Sequence, residues 1–214
     1  GIWKTGACYV PVSNRAPQRN LMEICTCVSP ALVITNRKKP DGYPSQSTAE
    51  LKTLCAGYSA QLPPDVLAIP NLANCSGGTT GKTKVIEQDM PAGESDEGLR
   101  TWFSVSGMRF EMRQLLAGPL FHGAPHSAAF NGLYCGNTLV TETIVRLIKK
   151  YRIEYVQMVP TLMQRISRMP GFRKEDLASI EVLCHTGGVC SQDLKREWLE
   201  IIPPERLYEL YAMT

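Results

Sequence analysis

Residues Asn74 to Val85 read NCSGGTTGKTKV. Gly77, Gly78 and Gly81 bare their backbone N–H groups, Thr79 and Thr80 add small hydroxyls, and Lys82 and Lys84 add fixed positive charge. Backbone N–H groups and hydroxyls of this kind wrap anions, so the chemistry on offer is the holding of a phosphate chain. Gly81-Lys82-Thr83 also matches the end of the Gly-x4-Gly-Lys-Ser/Thr phosphate loop, but Ser76 stands where that motif needs its first glycine. That loop also opens a helix. Here the chain continues as Val85-Ile86-Glu87-Gln88-Asp89-Met90-Pro91, a short strand ending in a turn. The preceding Val66-Leu67-Ala68-Ile69 is strand-like too. The loop is therefore expected to join two extended segments. A flexible Gly/Thr turn without a ligand is the alternative.

The elements that would position such a loop can be read from periodicity. Tyr9–Val12 reads as a strand, Gln18–Val28 as a helix with Leu21, Ile24, Cys25 and Val28 on one stripe, and Ala31–Thr35 as a second strand. Residues 36–64 are polar and turn-rich and read as a surface excursion. From residue 113 onward the pattern alternates. Strands are predicted over 114–117, 137–140, 153–159, 180–184 and 207–211. Helices are predicted over 127–134, over 143–151 with Ile144, Leu147, Ile148 and Tyr151 on one face, from Pro160 onward, and after an N-capping Ser191. The helix from Pro160 turns Leu162, Met163 and Ile166 inward, and the last one turns Leu194, Trp198, Ile201 and Ile202. This alternation predicts an α/β fold of mostly parallel sheets with flanking helices.

In such sheets ligands bind beyond the C-terminal ends of the strands. Three of the predicted strands lead into Gly118-Pro119-Leu120-Phe121-His122-Gly123, His185-Thr186-Gly187-Gly188 and Ala212-Met213-Thr214, respectively. Glycine, histidine and threonine thus collect where a ligand site belongs, and a nucleotide is the expected occupant.

Composition narrows the classes. The chain has 214 residues, 43% hydrophobic and 20% charged, with a net charge of +3. This is ordinary globular material. The charge is too small to imply nucleic acid, and no Lys/Arg block carries interleaved aromatics. No apolar run approaches the ~20 residues of a membrane span, and the opening residues do not read as a signal peptide. The eight cysteines form no C-x-x-C pair and the three histidines have no zinc-ligand spacing. They are expected to be reduced, buried thiols in a cytoplasmic protein. Ile2–Gly6 reads as the last turn of a helix closed by glycine, and the final residues stop just after a strand. The chain is therefore expected to be a piece of something longer.

In order, SGGTTGKTK, GPLFHGAP, VPTLMQRI, HTGGVC and ELYAMT resemble the adenylate-forming superfamily of acyl-CoA synthetases, adenylation domains and luciferases. Within it, WKTGACYVPVS and CHTGGVCSQDLK are most similar to bacterial bile acid–CoA ligases. The resemblance covers nearly the whole chain. It implies part of the large N-terminal domain, divided into 1–70, a phosphate-loop segment 71–112 and 113–214, with the C-terminal domain absent. It implies a carboxylate attacking the α-phosphate of ATP, then coenzyme A taking the acyl group, with Mg2+ assisting. A carrier-protein-loading adenylation domain and a non-catalytic nucleotide-binding module are the alternatives.

The roles are carried over residue by residue. Ser76, Gly77, Gly78, Thr79, Thr80, Gly81 and Lys84 would hold the phosphates, with Thr80 reaching the metal. Gly187 and Gly188 would admit the adenine ring and Tyr211 would stack on it. Glu209, Ala212, Met213 and Thr214 would complete the nucleotide site, with Thr214 on the α-phosphate. His122 would border the acyl pocket and the pantetheine path, with Ala124, Phe130 and Gly187 facing the acid. Lys84, Thr79, Thr214 and His122 would be the catalytic set. The alternatives are a packed core histidine for His122 and strand filler for Tyr211. His126, His185, Cys184 and Cys190 read as structural. The chain departs from the family pattern at Gly77, Thr83 and Val85, where serine, proline and glycine are usual. The step from Val140 to Thr143 is tighter than the pattern expects. The magnesium glutamate, the ribose aspartate and the catalytic lysine of the C-terminal domain are expected beyond residue 214. The partners implied are a small-molecule carboxylic acid, ATP and coenzyme A, with no nucleic acid and no membrane span, and homo-oligomerisation is left open.

Overall fold

The computed structural model describes residues 2–59, 61–76, 83–88, 95–141 and 145–211, with the side chains of Ser76 and Asp96 left aside. The chain forms two compact units, 1–93 and 94–214.

The first unit opens with a 3-10 turn, Ile2–Thr5, closed at Gly6. Helix α1 spans Gln18–Val28, as its apolar stripe predicts, and buries Ile24 and Cys25. Strands β1 (Val33–Ile34) and β2 (Ser45–Gln46) pair in parallel. Helix α2 covers Thr48–Cys55 and starts from a capping box. The Ser47 side chain accepts from Glu50 N (3.1 Å), and Ser47 N donates to the Glu50 carboxylate (2.6 Å). The predicted surface excursion therefore contains a strand and a helix, and Ser-Thr-Ala-Glu at 47–50 is the signal that marks the helix start. Strands β3 (Leu72–Ser76) and β4 (Lys84–Gln88) form an antiparallel ladder.

Two predicted strands are not formed. Tyr9–Val12 makes only a bridge, Tyr9 N to Asn71 O and Ala73 N to Tyr9 O, both 3.0 Å. Pro11, two residues on, has no N–H to extend the pairing. Val66–Ile69 is irregular, with Val66, Leu67 and Ile69 each more than half exposed, and the strand starts at Leu72 instead. Apolar content without a partner strand does not make a sheet.

The second unit carries the regular architecture. Helix α3 (Asp96–Ser106), which periodicity did not single out, is capped by the Ser95 side chain and ends at Gly107. There follow β5 (Arg113–Leu116), α4 (Gly123–Tyr134), β6 (Thr138–Val140), α5 (Arg146–Tyr151), β7 (Tyr155–Met158), α6 (Pro160–Ser167), β8 (Val182–His185), α7 (Gln192–Leu199) and β9 (Leu207–Glu209). The strand order is β6-β5-β7-β8-β9, all parallel. The expected α/β fold with a mostly parallel sheet and flanking helices is formed. Strands β7 and β8 are buried at every position, as a parallel sheet covered on both faces requires.

Alternating side chains feed two clusters. Leu115, Val156, Met158 and Leu183 pack with Ile148 of α5, Met163 and Ile166 of α6, and Leu194 and Trp198 of α7. Tyr155, Val182 and Cys184 point the other way and pack with Ala128 of α4, Met108, Met112 and Cys135. Each large apolar side chain so buried contributes about 1.5–3 kcal/mol. Between α4 and the sheet lies a polar clasp. Gln114 Nε2 donates to Ala128 O (2.9 Å), Asn137 Nδ2 to Gln114 Oε1 (3.3 Å), and Met112 N to Asn137 Oδ1 (2.9 Å). A Cβ on Gly132 would collide with the Gln114 side-chain oxygen, so glycine is required there.

Two details differ from expectation. Of the stripe predicted over 143–151, Ile148 is fully buried, but Tyr151 is 41% exposed and lies beside the Lys150 ammonium at 4.8 Å. Ile144 lies outside the described residues. The cysteines are all free, yet only Cys25, Cys135 and Cys184 are buried, while Cys27 and Cys55 are exposed. Those two sit in the last turns of the surface helices α1 and α2.

Candidate functional site

Because β5 to β9 run in parallel, their C-terminal ends lie along one edge of the sheet. From that edge emerge the Ala117–His122 loop, Val159-Pro160 at the start of α6, the Thr186–Gly188 turn and Leu210-Tyr211. Of the sequence-predicted residues of this unit, topology therefore brings His122, Gly187, Gly188 and Tyr211 to one edge.

His122 is the N-cap of α4, with extended backbone and its carbonyl accepting from His126 N at 3.1 Å. Its side chain is exposed and its ring lies 4.4 Å from that of Phe121, which removes the packed-core alternative. Along α4, Ala124 and Ala128 are four residues apart and share a face, on which Ala128 meets the sheet. Phe130 lies on another stripe, its ring 4.5 Å from that of the buried His126. The structure thus groups His122 and Ala124 at the start of α4 and sets Phe130 apart from Ala124.

Gly187 has φ +78°, a left-handed conformation that side chains avoid. Gly187 and Gly188 are both exposed, and the nearest atoms to a Cβ there belong to Val159 and Pro160 at 3.4 and 3.8 Å. Tyr211, two residues past β9, is 86% exposed, so it is no core filler.

His185 closes β8 and is buried, its carbonyl accepting from Leu210 N at 2.9 Å. Burial holds its imidazole below the ordinary histidine range, with Glu209 pulling upward and Lys195 adding to the depression. Burial likewise lowers His126. Both therefore favour the neutral form, in keeping with their structural reading. Glu209, expected at the nucleotide, pairs with Lys195 of α7 at 2.5 Å. The hydrogen bond from Lys195 lowers the Glu209 carboxyl, and the same bond raises the Lys195 ammonium. Cys184 is fully buried and its thiol is pushed up to about 12 by that burial, so it is inert as a nucleophile.

Sequence reasoning missed Gln157. It sits on β7, opposite Leu116 and Cys184 in register and one residue before the strand's end. It is 8% exposed and, among the described residues, neither its Nε2 nor its Oε1 has a partner at full hydrogen-bond geometry, its one polar side-chain contact among them being the weak one with the Cys184 thiol. A buried polar group left so costs about 1–3 kcal/mol. The available signal was a lone amide within the apolar run Tyr155–Val159.

In the first unit, Lys84 is the first residue of β4, exposed, and in register with Ser76 at the end of β3. The β3–β4 ladder flanks the Gly/Thr loop on both sides, so the expected joining of two extended segments is met. Gly77, Gly78, Thr79, Thr80 and Gly81 lie outside the described residues, as do Ala212, Met213 and Thr214. Among the described residues no group of three His, Cys, Asp or Glu side chains could hold a metal ion. Thr80, the residue expected at the metal, lies outside the described residues. Among them, too, no helix is long and apolar enough to cross a membrane.

The family model described as AMP-binding enzyme matches residues 1–214. The chain belongs to this family. Two solved structures share the fold of the AMP-binding N-terminal domain. ATP-bound MatB from Rhodopseudomonas palustris superposes with TM-score 0.80 at 18% identity, over 98% of this chain and 45% of that one. The N-terminal domain of FACL13 from Mycobacterium tuberculosis superposes with TM-score 0.77 at 19% identity, over 99% and 57%. In sequence, the chain is 31% identical over 103 residues to 4-coumarate–CoA ligase 3 of Oryza sativa subsp. japonica, covering 45% of this chain and 19% of the rice protein. It is 25% identical over 222 residues to a probable non-canonical nonribosomal peptide synthetase, CymA, of Salinispora arenicola, covering 100% of this chain and 3% of that protein. The AMP-binding chain thus spans about half or less of the length of each of these relatives.

Proposed function

We propose that this chain is part of the N-terminal domain of an acid–CoA ligase that activates a bulky carboxylic acid, in the first instance a bile acid. The observation that carries the proposal is the family match over residues 1–214, joined to the Gly/His/Tyr loops at one edge of a parallel sheet. In the proposed reaction a carboxylate oxygen bonds to the α-phosphorus of ATP and pyrophosphate leaves. The thiol of coenzyme A then bonds to the acyl carbon and AMP leaves. A carboxylate oxygen is a poor leaving group and AMP a good one, which is what the adenylate achieves.

In this reading Thr79, Thr80 and Lys84 hold the phosphates, and aligned N–H groups and lysine charge stabilise the transferring group. Thr80 takes part in holding Mg2+, which would supply Lewis-acid charge neutralisation. Gly187 and Gly188 admit adenine over the Val159-Pro160 step, Tyr211 covers its face, and Thr214 contacts the α-phosphate. His122, exposed at the head of α4, borders the acid and the thiol path. The bile-acid assignment rests on WKTGACYVPVS and CHTGGVCSQDLK. The division into 1–70, 71–112 and 113–214 and the cytoplasmic location belong to the same proposal.

The match to a peptide synthetase over the full chain favours a second reading, in which the acyl group passes to a carrier protein. The test is pyrophosphate release by the full-length protein against a panel of carboxylic acids, followed by mass spectrometry for the thioester. A coenzyme A thioester is expected. Pyrophosphate release without one supports carrier loading, and no release supports the non-catalytic module.

A further inference from the structure

Two glutamines stand on the same face of the sheet, and only one is explained by the fold. Gln114 of β5 has its amide bonded to Ala128 O and to Asn137, so it ties α4 to the sheet. Gln157 of the adjacent β7 is also buried, yet among the described residues neither of its amide atoms has a partner at full hydrogen-bond geometry. Its neighbours Val156 and Met158 belong to the cluster on the opposite face, so Gln157 shares the face of Tyr155 and Ala128. Across the β8 register it faces the Cys184 thiol, whose pKa the amide pulls down against the dominant effect of burial; this is a weak sulfur contact, and it leaves the amide oxygen without a donor. It lies one pleat nearer than Tyr155 to the strand ends from which the His122 loop and the start of α4 also emerge. Buried polar groups are normally satisfied, and an exception calls for a missing partner.

We infer that Gln157 selects the acid: its carboxamide gives and accepts a hydrogen bond with a hydroxyl carried on the acid's skeleton, so the substrates are hydroxylated rather than plain hydrocarbon acids. This rests on the adenylating reading proposed above and names the substrate class for that site. A hydroxyl both donates and accepts, so it can satisfy the amide. A site built around a hydrogen bond rejects the analogue that lacks it, because the amide is then left buried and unpaired.

The experiment uses the full-length protein and matched acids, cholate with unhydroxylated 5β-cholanate and 4-hydroxycinnamate with cinnamate. Pyrophosphate release is measured for the wild type, Gln157→Leu and Gln157→Met, with melting temperatures alongside. The wild type is expected to favour the hydroxylated member of at least one pair by about tenfold or more in kcat/KM. Both variants should erase that preference by losing the hydroxylated acid while keeping the plain one, with the KM for ATP unchanged. Their melting temperatures should not fall, because only a weak contact with the Cys184 thiol is removed. Equal loss on both acids, or a lowered melting temperature, would assign Gln157 a structural role and overturn the inference. Unchanged discrimination would mean that an ordered water satisfies the amide, and would overturn it too. No pyrophosphate with any acid removes the acid site itself, which is the separate failure of the adenylating reading and takes the inference with it.

Discussion

Lys84 is exposed at the head of β4, so its charge contributes little to stability, while its place beside the Gly/Thr loop suits phosphate. Lys84→Ala is expected to lower pyrophosphate release by the full-length protein roughly 100-fold and to leave the melting temperature unchanged. Unchanged turnover would remove Lys84 from the phosphate site. Titration gives a second expectation. Burial disfavours the imidazolium forms of His185 and His126 in the folded state, whereas in the unfolded chain they take protons near the ordinary pKa of ~6.5. The unfolded state then binds more protons, so the stabilisation is present above that value and is lost as pH falls below it. Facing His185, Glu209 opposes this shift and Lys195 reinforces it. Glu50, held down at about 2 first by its bond from Lys39, stays charged in this window. The urea midpoint should therefore be lower at pH 5.5 than at pH 7.5, and NMR titration should place the His185 midpoint below that of an unfolded histidine. A midpoint at or above the unfolded value would contradict it.

Helices were the legible part of this chain, for reasons visible in two of them. Helix α1 announces itself by an apolar stripe between Pro17 and Ser29, and α7 by Ser191 followed by Leu194 and Trp198 on one face. The same helical grammar was present at Ser47, but α2 buries none of its residues, so no stripe drew attention to its cap. Strand positions were less legible because a strand exists only through its partner. Val66–Ile69 has the right residues and no ladder, while Leu72–Ser76, with Ala, Asn and Ser, is a strand because Lys84–Gln88 pairs with it. The site followed the same division. Glycines and histidines after parallel strands could be placed by topology, whereas Gln157 becomes conspicuous only when its partners are counted in three dimensions. Cap substitutions at the two helices should behave differently. Ser191→Ala removes the acceptor for Leu194 N (3.3 Å) from a helix that packs into the main cluster, and should cost about 1 kcal/mol of global stability by urea unfolding. Ser47→Ala should raise hydrogen exchange in α2 without moving the global midpoint, since α2 packs no buried residue. A global loss from Ser47→Ala would show that α2 supports more of the first unit than its exposure implies.

Across the whole chain, the two units are of unequal build. Unit 94–214 holds all five strands of the parallel sheet and both large clusters, whereas the described residues of 1–93 form two small two-stranded ladders. In the proposed ligase the phosphate loop belongs to the first unit and the acid-facing residues belong to the second, so acid choice should be governed by residues after 94. There the small residues Gly123 and Ala124 open α4, while Ala128, grouped with them in sequence, is packed against the sheet. Larger side chains at those positions would narrow the space beside the sheet, and their absence suits a wide, flat acid better than a single thin alkyl chain. An alkyl acid must also give up chain rotamers to be held, at a cost in entropy that a fused-ring acid does not bear. When the full-length protein is given ATP, magnesium, coenzyme A and equal concentrations of cholate and palmitate, the cholate thioester is therefore expected to dominate, by mass spectrometry of the products. Ala124→Leu should shift that ratio toward palmitate by filling the width and leaving the length. A palmitate product in excess from the unmodified protein would sink the bile-acid assignment while leaving membership of the AMP-binding family, which rests on the match over residues 1–214, untouched.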